Sequence, residues 1–205
     1  MPGADDWLAA ARADAGDDLR EKILTGYKAG KPFTPYEPTI PLPAAPRRVL
    51  DFGCGLGRNF PLLTKLSSDV VGFDLPPMIA RCAQLAIPTG VRLSDDWARL
   101  REESFDLVYA SLVLQHIETD ACRAYLRDFA AMSPRIYLLT RASTDFHVNL
   151  LGLVDEVTAF DQPACTVVEH DEATHQLKVL GRVTFAEARG SAGHEHYELL
   201  LGRRV

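Results

Sequence analysis

The run Arg48-Val49-Leu50-Asp51-Phe52-Gly53-Cys54-Gly55-Leu56-Gly57 constrains the fold more than any other part of the chain. A short apolar stretch ends in an acidic residue and is followed by three glycines at alternate positions. An apolar run bounded by turn residues reads as a buried strand of a parallel sheet, whose two faces are both covered. Glycines directly after such a strand let the backbone turn sharply and let a ligand approach the main chain. The next residues, Arg58-Asn59-Phe60-Pro61-Leu62-Leu63, can open a helix whose unpaired N–H groups and dipole face the same point. A strand, a glycine turn and a helix in that order describe a site for a nucleotide-like cofactor.

The rest of the chain supplies the sheet that such a site needs. Strand-like runs at Asp69–Asp74, Gly90–Ser94, Phe105–Ala110 and Arg135–Thr140 are separated by helical stretches at Pro77–Leu85, Trp97–Arg101 and Asp120–Met132. Regular alternation of this kind predicts an α/β fold, a mostly parallel sheet with helices on both faces. The tail changes character: Thr166–Glu169, Gln176–Leu180 and Tyr197–Leu201 read as antiparallel strands at a C-terminal edge. Ahead of the sheet, Asp5–Ala15 and Asp17–Lys28 read as helices, and Lys31–Pro46 as a proline-rich connector. The expected organisation is a small N-terminal helical cap with its connector over residues 1–46 and a cofactor-binding domain over residues 47–205.

Composition narrows the partners. With 205 residues the chain suits one well-buried domain. A net charge of −6 argues against a broad phosphate-binding surface, so DNA is not an expected partner. No apolar run approaches the length of a membrane span, so no membrane association is expected. Cys54, Cys82, Cys122 and Cys165 lack metal-ligand spacing and read as buried thiols of a cytoplasmic protein. His194 and His196 share a strand parity, but one such pair makes no convincing metal site. The oligomeric state stays open.

Counting the glycines narrows the cofactor. A dinucleotide fingerprint, G-x-G-x-x-G, would need glycine where Arg58 stands, and no Gly-Lys-Ser/Thr follows to make a P-loop. The pattern Asp51-x-Gly53-x-Gly55-x-Gly57 resembles instead the first motif of class I, Rossmann-like, S-adenosylmethionine-dependent methyltransferases. The resemblance covers about residues 47–203. It implies a Rossmann-like methyltransferase sheet, S-adenosyl-L-methionine as cofactor, and a cofactor loop made by Asp51, Gly53, Cys54, Gly55 and Gly57. Cys54, where bulk is disfavoured, reads as a small filler and not as a nucleophile. Asp74, at the tip of the second strand, can accept both ribose hydroxyls, or it can cap the next helix. The positions of Leu75 and Ile79 flank adenosine in similar proteins. Asp95 or Asp96 would meet the adenine amino group, and Trp97 either stacks on the ring or packs in the core. Backbone at Ser111 and Leu112 would border the cofactor, and His116 would point to the methyl-transfer pocket or serve as a structural group.

A small-molecule acceptor is the leading expectation, with O, N and S nucleophiles all open. DNA amino-methylating enzymes resembling this fold carry Asn/Asp-Pro-Pro-Tyr/Phe after the fourth strand; here the only double proline, Pro76-Pro77, follows the second. A hydroxyl acceptor would need a base, His116 before His147. Tyr27, Lys28 and Phe33 could cover the pocket, and Arg141 could hold an acidic substrate. The alternatives are a non-catalytic domain that binds S-adenosylmethionine or S-adenosylhomocysteine as sensor or partner subunit, and a nicotinamide-dependent oxidoreductase, which Arg58 disfavours.

Overall fold

The computed structural model describes residues 35–141, 153, 160–161, 165–171, 176–190 and 196–203. Five strands run parallel: β1 (Val49–Phe52), β2 (Val70–Phe73), β3 (Val91–Ser94), β4 (Leu107–Ser111) and β5 (Arg135–Arg141). Three more continue the sheet antiparallel: β6 (Cys165–Asp171), β7 (Gln176–Val183) and β8 (His196–Gly202). The spatial order is β3-β2-β1-β4-β5-β8-β6-β7. The chain thus builds outward from β1 to β3 and then crosses back to lay β4 on the other side of β1. A reversal of that kind opens a crevice at the carboxyl ends of the two central strands. The glycine turn that follows β1 stands at that crevice.

Val49, Leu50, Val70, Val71, Leu107 and Val108 are fully buried, which is why the central strands read as continuous apolar runs and not as alternating ones. One face of the sheet is covered by α1 (Phe60–Leu66), α2 (Pro76–Cys82) and the connector, through Phe60, Leu63, Met78, Cys82 and Tyr36. The other is covered by α3 (Trp97–Leu100), α4 (Thr119–Met132) and α5 (Phe185–Gly190). On α4 the buried residues Cys122, Leu126, Phe129 and Ala130 form a single helical stripe. Gly72 of β2 makes the first layer possible: a Cβ there would lie 2.7 Å from the Phe60 ring and 3.1 Å from the Cys54 sulfur.

Registers tie the sheet to the site. Asp51 pairs with Gly72 on one side and Tyr109 on the other, and Tyr109 pairs with Tyr137. These residues form one row on the α1–α2 face, where the Tyr109 and Tyr137 rings stack at 4.4 Å. Glu198 of β8 sits beside this row with no exposed surface. Its carboxyl oxygens accept from Tyr137 Oη at 2.8 Å, from Thr39 N at 2.8 Å and from Thr39 Oγ1, so the connector is clamped across the sheet by a buried polar group. The sequence alone reads Tyr197–Leu201 as an antiparallel edge strand; the clamp made by Glu198 emerges only in the fold.

Among the described residues, the elements read from sequence recur within a few residues. α2 ends at Cys82, three residues before the expected Leu85. α5 was not expected; Thr184 and Glu187 open it reciprocally, the Thr184 N–H donating to Glu187 at 2.7 Å and the Glu187 N–H to Thr184 Oγ1 at 3.2 Å. The two N-terminal helices read at Asp5–Ala15 and Asp17–Lys28 lie outside the described residues, as do Tyr27, Lys28, Phe33, His147 and His194. Among the described residues no helix is long and apolar enough to cross a membrane.

Candidate active site

Gly53, Gly55 and Gly57 all have positive φ, at 72°, 56° and 84°. The loop they form is fastened over the end of β2, because Gly53 N and Cys54 N both donate to Phe73 O, at 2.8 and 3.0 Å. On its other side it touches the segment after β4: a Cβ on Gly53 would lie 2.3 Å from Val113 Cγ2. The glycine therefore lets two loops meet across the central crevice.

Two carboxylates flank the loop. Asp74 Oδ2 accepts from Gly55 N and its Oδ1 from Leu75 N, both at 2.7 Å. Burial pushes the Asp74 carboxyl up, and those two N–H groups oppose the rise. Asp51 has no exposed surface at all. Its Oδ1 accepts from Asn59 Nδ2 at 3.3 Å, while Asp51 Oδ2 and Asn59 Oδ1 have no hydrogen-bond partner. Burial pushes Asp51 up to about 7, Asn59 counteracts, and the nearby Asp74 charge adds to the rise. An unpaired buried carboxylate oxygen is costly and needs an explanation. A cationic ligand in the crevice would supply one, and an amino-acid sulfonium such as S-adenosylmethionine fits that requirement.

A stability measurement checks this electrostatic picture. The folded protein holds a proton on Asp51 up to about pH 7, whereas the unfolded chain releases it near pH 4. Stability therefore falls as pH rises through that window, and the whole penalty is present above it. Asp51→Asn removes the penalty and gives Asn59 Oδ1 a donor. In thermal melts without ligand, the variant is expected to match the wild type near pH 4 and to exceed it above pH 7 by on the order of a few kcal/mol. A pH-independent difference would contradict the assignment.

The other site residues divide into those brought to the crevice and those used elsewhere. Leu75 stands at the N-cap of α2 and Ile79 one turn along, both partly buried. Asp96 caps α3, its Oδ1 accepting from Arg99 N at 3.1 Å, which leaves the exposed Asp95 as the carboxylate without a partner. Trp97 is held in packing: its ring lies 5.0–6.0 Å from Phe52, Phe73, Tyr125 and Phe129, and its Nε1 donates to Asp128 at 2.9 Å. Ser111 ends β4, and Leu112 follows with φ 56° and donates its N–H to Leu139 O at 2.7 Å. His116 ends a 3-10 turn (Leu114–His116) on the same side of the sheet, with Arg141 at the end of β5. The Cys54 thiol is hydrogen-bonded to Cys82 and buried, and both effects push it well up, which disfavours the thiolate.

Three contributors were not singled out from the sequence. Asn59 partners Asp51. Arg58, read only as a departure from the dinucleotide fingerprint, places its guanidinium over the Tyr36 ring at 5.2 Å and is pulled down by burial. Gln115 sits buried between β5 and His116. An arginine directly after the glycine turn and a lone tyrosine in a proline-rich connector were the available signals.

Residues 50–132 match a family model described as a methyltransferase domain. Among solved structures, the chain is similar to the N-methyltransferase NodS from Bradyrhizobium japonicum WM9 in complex with S-adenosylhomocysteine (16% identity, 78% of this chain and 80% of that one, TM-score 0.54). It is similar as well to a TehB-like methyltransferase from Corynebacterium glutamicum (20% identity, 80% and 83%, TM-score 0.53). A third is the magnesium protoporphyrin IX methyltransferase from Synechocystis PCC 6803 with bound S-adenosylmethionine (16% identity, 77% and 70%, TM-score 0.51). No curated protein sequence matches. With the strand order, the glycine loop and the match over residues 50–132 in agreement, the chain carries a methyltransferase domain on a class I, Rossmann-like methyltransferase fold.

Proposed function

We propose that this chain transfers a methyl group from S-adenosylmethionine to a small-molecule acceptor. The observation that carries the proposal is the pair Asp51 and Asp74 at the ends of adjacent strands, with one buried oxygen of Asp51 left unpaired beside the glycine loop. In this reading Asp74 takes the ribose hydroxyls and Asp51 Oδ2 faces the ammonium of the methionine moiety. Gly53, Cys54, Gly55 and Gly57 offer backbone, Leu75 and Ile79 flank the adenosine, and Asp95 meets the adenine amino group because Asp96 is spent on its helix. Ser111 and Leu112 border the cofactor. Trp97 is left to the core.

The cofactor brings an already activated methyl group, so the protein's task is to align an acceptor behind it and to exclude water. Alignment of that kind is worth roughly 7–11 kcal/mol. A small acceptor is favoured by the net charge of −6 and by the sequence Ser111-Leu112-Val113-Leu114 where amino-methylating DNA enzymes carry their proline motif.

Calorimetry with S-adenosylmethionine and S-adenosylhomocysteine is the first test, followed by a metabolite extract with a labelled methyl donor. Binding and a labelled small product are expected. No binding of either compound would end the proposal, and binding without any product would favour the sensor reading. Within the enzyme, His116→Ala is expected to slow turnover by about 100-fold while donor affinity stays within about threefold, since the ring acts on the acceptor side. Unchanged turnover would remove His116 from the reaction.

A further inference from the structure

Gln115 stands between the end of β5 and the ring of His116, and only 6% of its surface is exposed. Its Oε1 accepts the backbone N–H of Arg141 at 2.9 Å. A backbone N–H can only donate, so the carboxamide oxygen is fixed on that side; the flipped amide would set two donors against each other. The opposite end of the amide, Nε2, therefore presents its hydrogens to His116 Nε2, 3.5 Å away. That contact is long for a hydrogen bond, so the anchoring of Gln115 and not the bond's own strength sets the arrangement. The anchoring is firm. The preceding turn is tied to the same strand by Leu112 N donating to Leu139 O at 2.7 Å, and Leu114 beside it is buried.

A ring nitrogen that faces an N–H must offer a lone pair. Neutral imidazole carries one proton, so a lone pair on Nε2 puts that proton on Nδ1. We infer that Gln115 is a positioning residue that holds His116 as the Nδ1–H tautomer. In the proposed methyl transfer, a ring whose Nε2 lone pair faces the Gln115 N–H is not placed to act as a base through that nitrogen. This consequence rests on the methyltransferase reading of the site; the tautomer does not.

The acceptor that suits such a site arrives with its lone pair ready, as a neutral amine or a thiolate does. The lone pair forms the new bond to the methyl carbon while the carbon–sulfur bonding pair returns to sulfur. An amine then sheds its extra proton to solvent, and a thiolate has none to shed. A hydroxyl acceptor would need Gln115 to release the ring first.

Nitrogen-proton correlation spectra of the full chain, labelled with 15N-histidine at a pH where the ring is neutral, test the inference. His116 is identified as the signal missing from His116→Gln. The wild type is expected to show the proton on Nδ1. Gln115→Glu keeps an oxygen for Arg141 N–H but turns a second acceptor toward the ring, and is expected to move the proton to Nε2. Gln115→Leu is expected to lose most of the Nδ1 preference. An Nε2–H ring in the wild type, or an Nδ1–H ring unchanged in both variants, would overturn the inference. Should either variant fail to fold, the wild-type spectrum decides alone. An Nδ1–H ring in a protein that binds no methyl donor would leave this inference standing and remove the functional reading instead.

Discussion

Asp74→Ala is expected to weaken S-adenosylmethionine binding by about 100-fold or more. Hydrogen bonds that a carboxylate accepts from two ribose hydroxyls are charge-assisted, each worth about 1.5–3 kcal/mol. Both disappear with the side chain. The loss exceeds a plain contact deletion because the same carboxylate organises the loop, accepting from Gly55 N and Leu75 N at 2.7 Å each. Alanine leaves both N–H groups without that partner, so the loop that should meet the cofactor also loses its shape. Asp74→Asn separates the two effects. The amide keeps one oxygen for a backbone N–H or a hydroxyl, and an intermediate affinity is expected. Titration calorimetry with both S-adenosylmethionine and S-adenosylhomocysteine reads the change, and thermal melts show how much of it is loop disorder. If donor affinity in Asp74→Ala stays within about threefold of the wild type, the ribose is held elsewhere.

Much of this arrangement could be read from the residues, for identifiable reasons. The central strands announced themselves because parallel strands are buried on both faces, so Val49-Leu50 and Leu107-Val108 give unbroken apolar runs. The glycine turn was legible because positive φ at three alternate positions demands glycine. The position of Asp74 beside the glycine loop was legible from its place at a strand tip. Residues that act through tertiary partners were not. Glu198 lies in an apolar run and gains its meaning only when Thr39, 159 positions away, meets it. Asp95 and Asp96 were indistinguishable until one of them was seen to cap α3. Trp97 could have stacked on a ligand, and only the positions of Phe52, Tyr125 and Phe129 show that it completes an aromatic cluster. Helix α5 is a different case. The Thr184-x-x-Glu187 capping pair was present in the sequence, yet six residues are too few for a convincing apolar stripe.

Gly53→Ala is expected to cost the most stability for the smallest chemical change, about 2–5 kcal/mol from two separate sources. The left-handed backbone at φ 72° costs any residue with a Cβ about 1–2 kcal/mol. The new methyl group would also lie 2.3 Å from Val113 Cγ2 and 2.6 Å from Val113 Cβ, so something has to move. Overpacking of this kind costs about 1–3 kcal/mol. Neither neighbour yields easily. The turn that carries Val113 is tied to β5 by Leu112 and by Gln115, and the glycine loop is tied to Phe73 O by two N–H groups. For a chain of this length the melting temperature should fall by about 5–15 °C. Donor affinity should fall with it, since whichever loop gives way borders the crevice. A double-mutant cycle separates clash from backbone strain. Val113→Ala removes both Cγ atoms but leaves the 2.6 Å approach to its Cβ and the left-handed φ. The pair Gly53→Ala/Val113→Ala should therefore recover part of the loss, with a favourable coupling of about 1–2 kcal/mol, and never all of it. Full recovery would mean that the backbone at residue 53 tolerates a side chain. No recovery would mean that the loops after β1 and β4 do not touch at this point, and the crevice would then need a different floor.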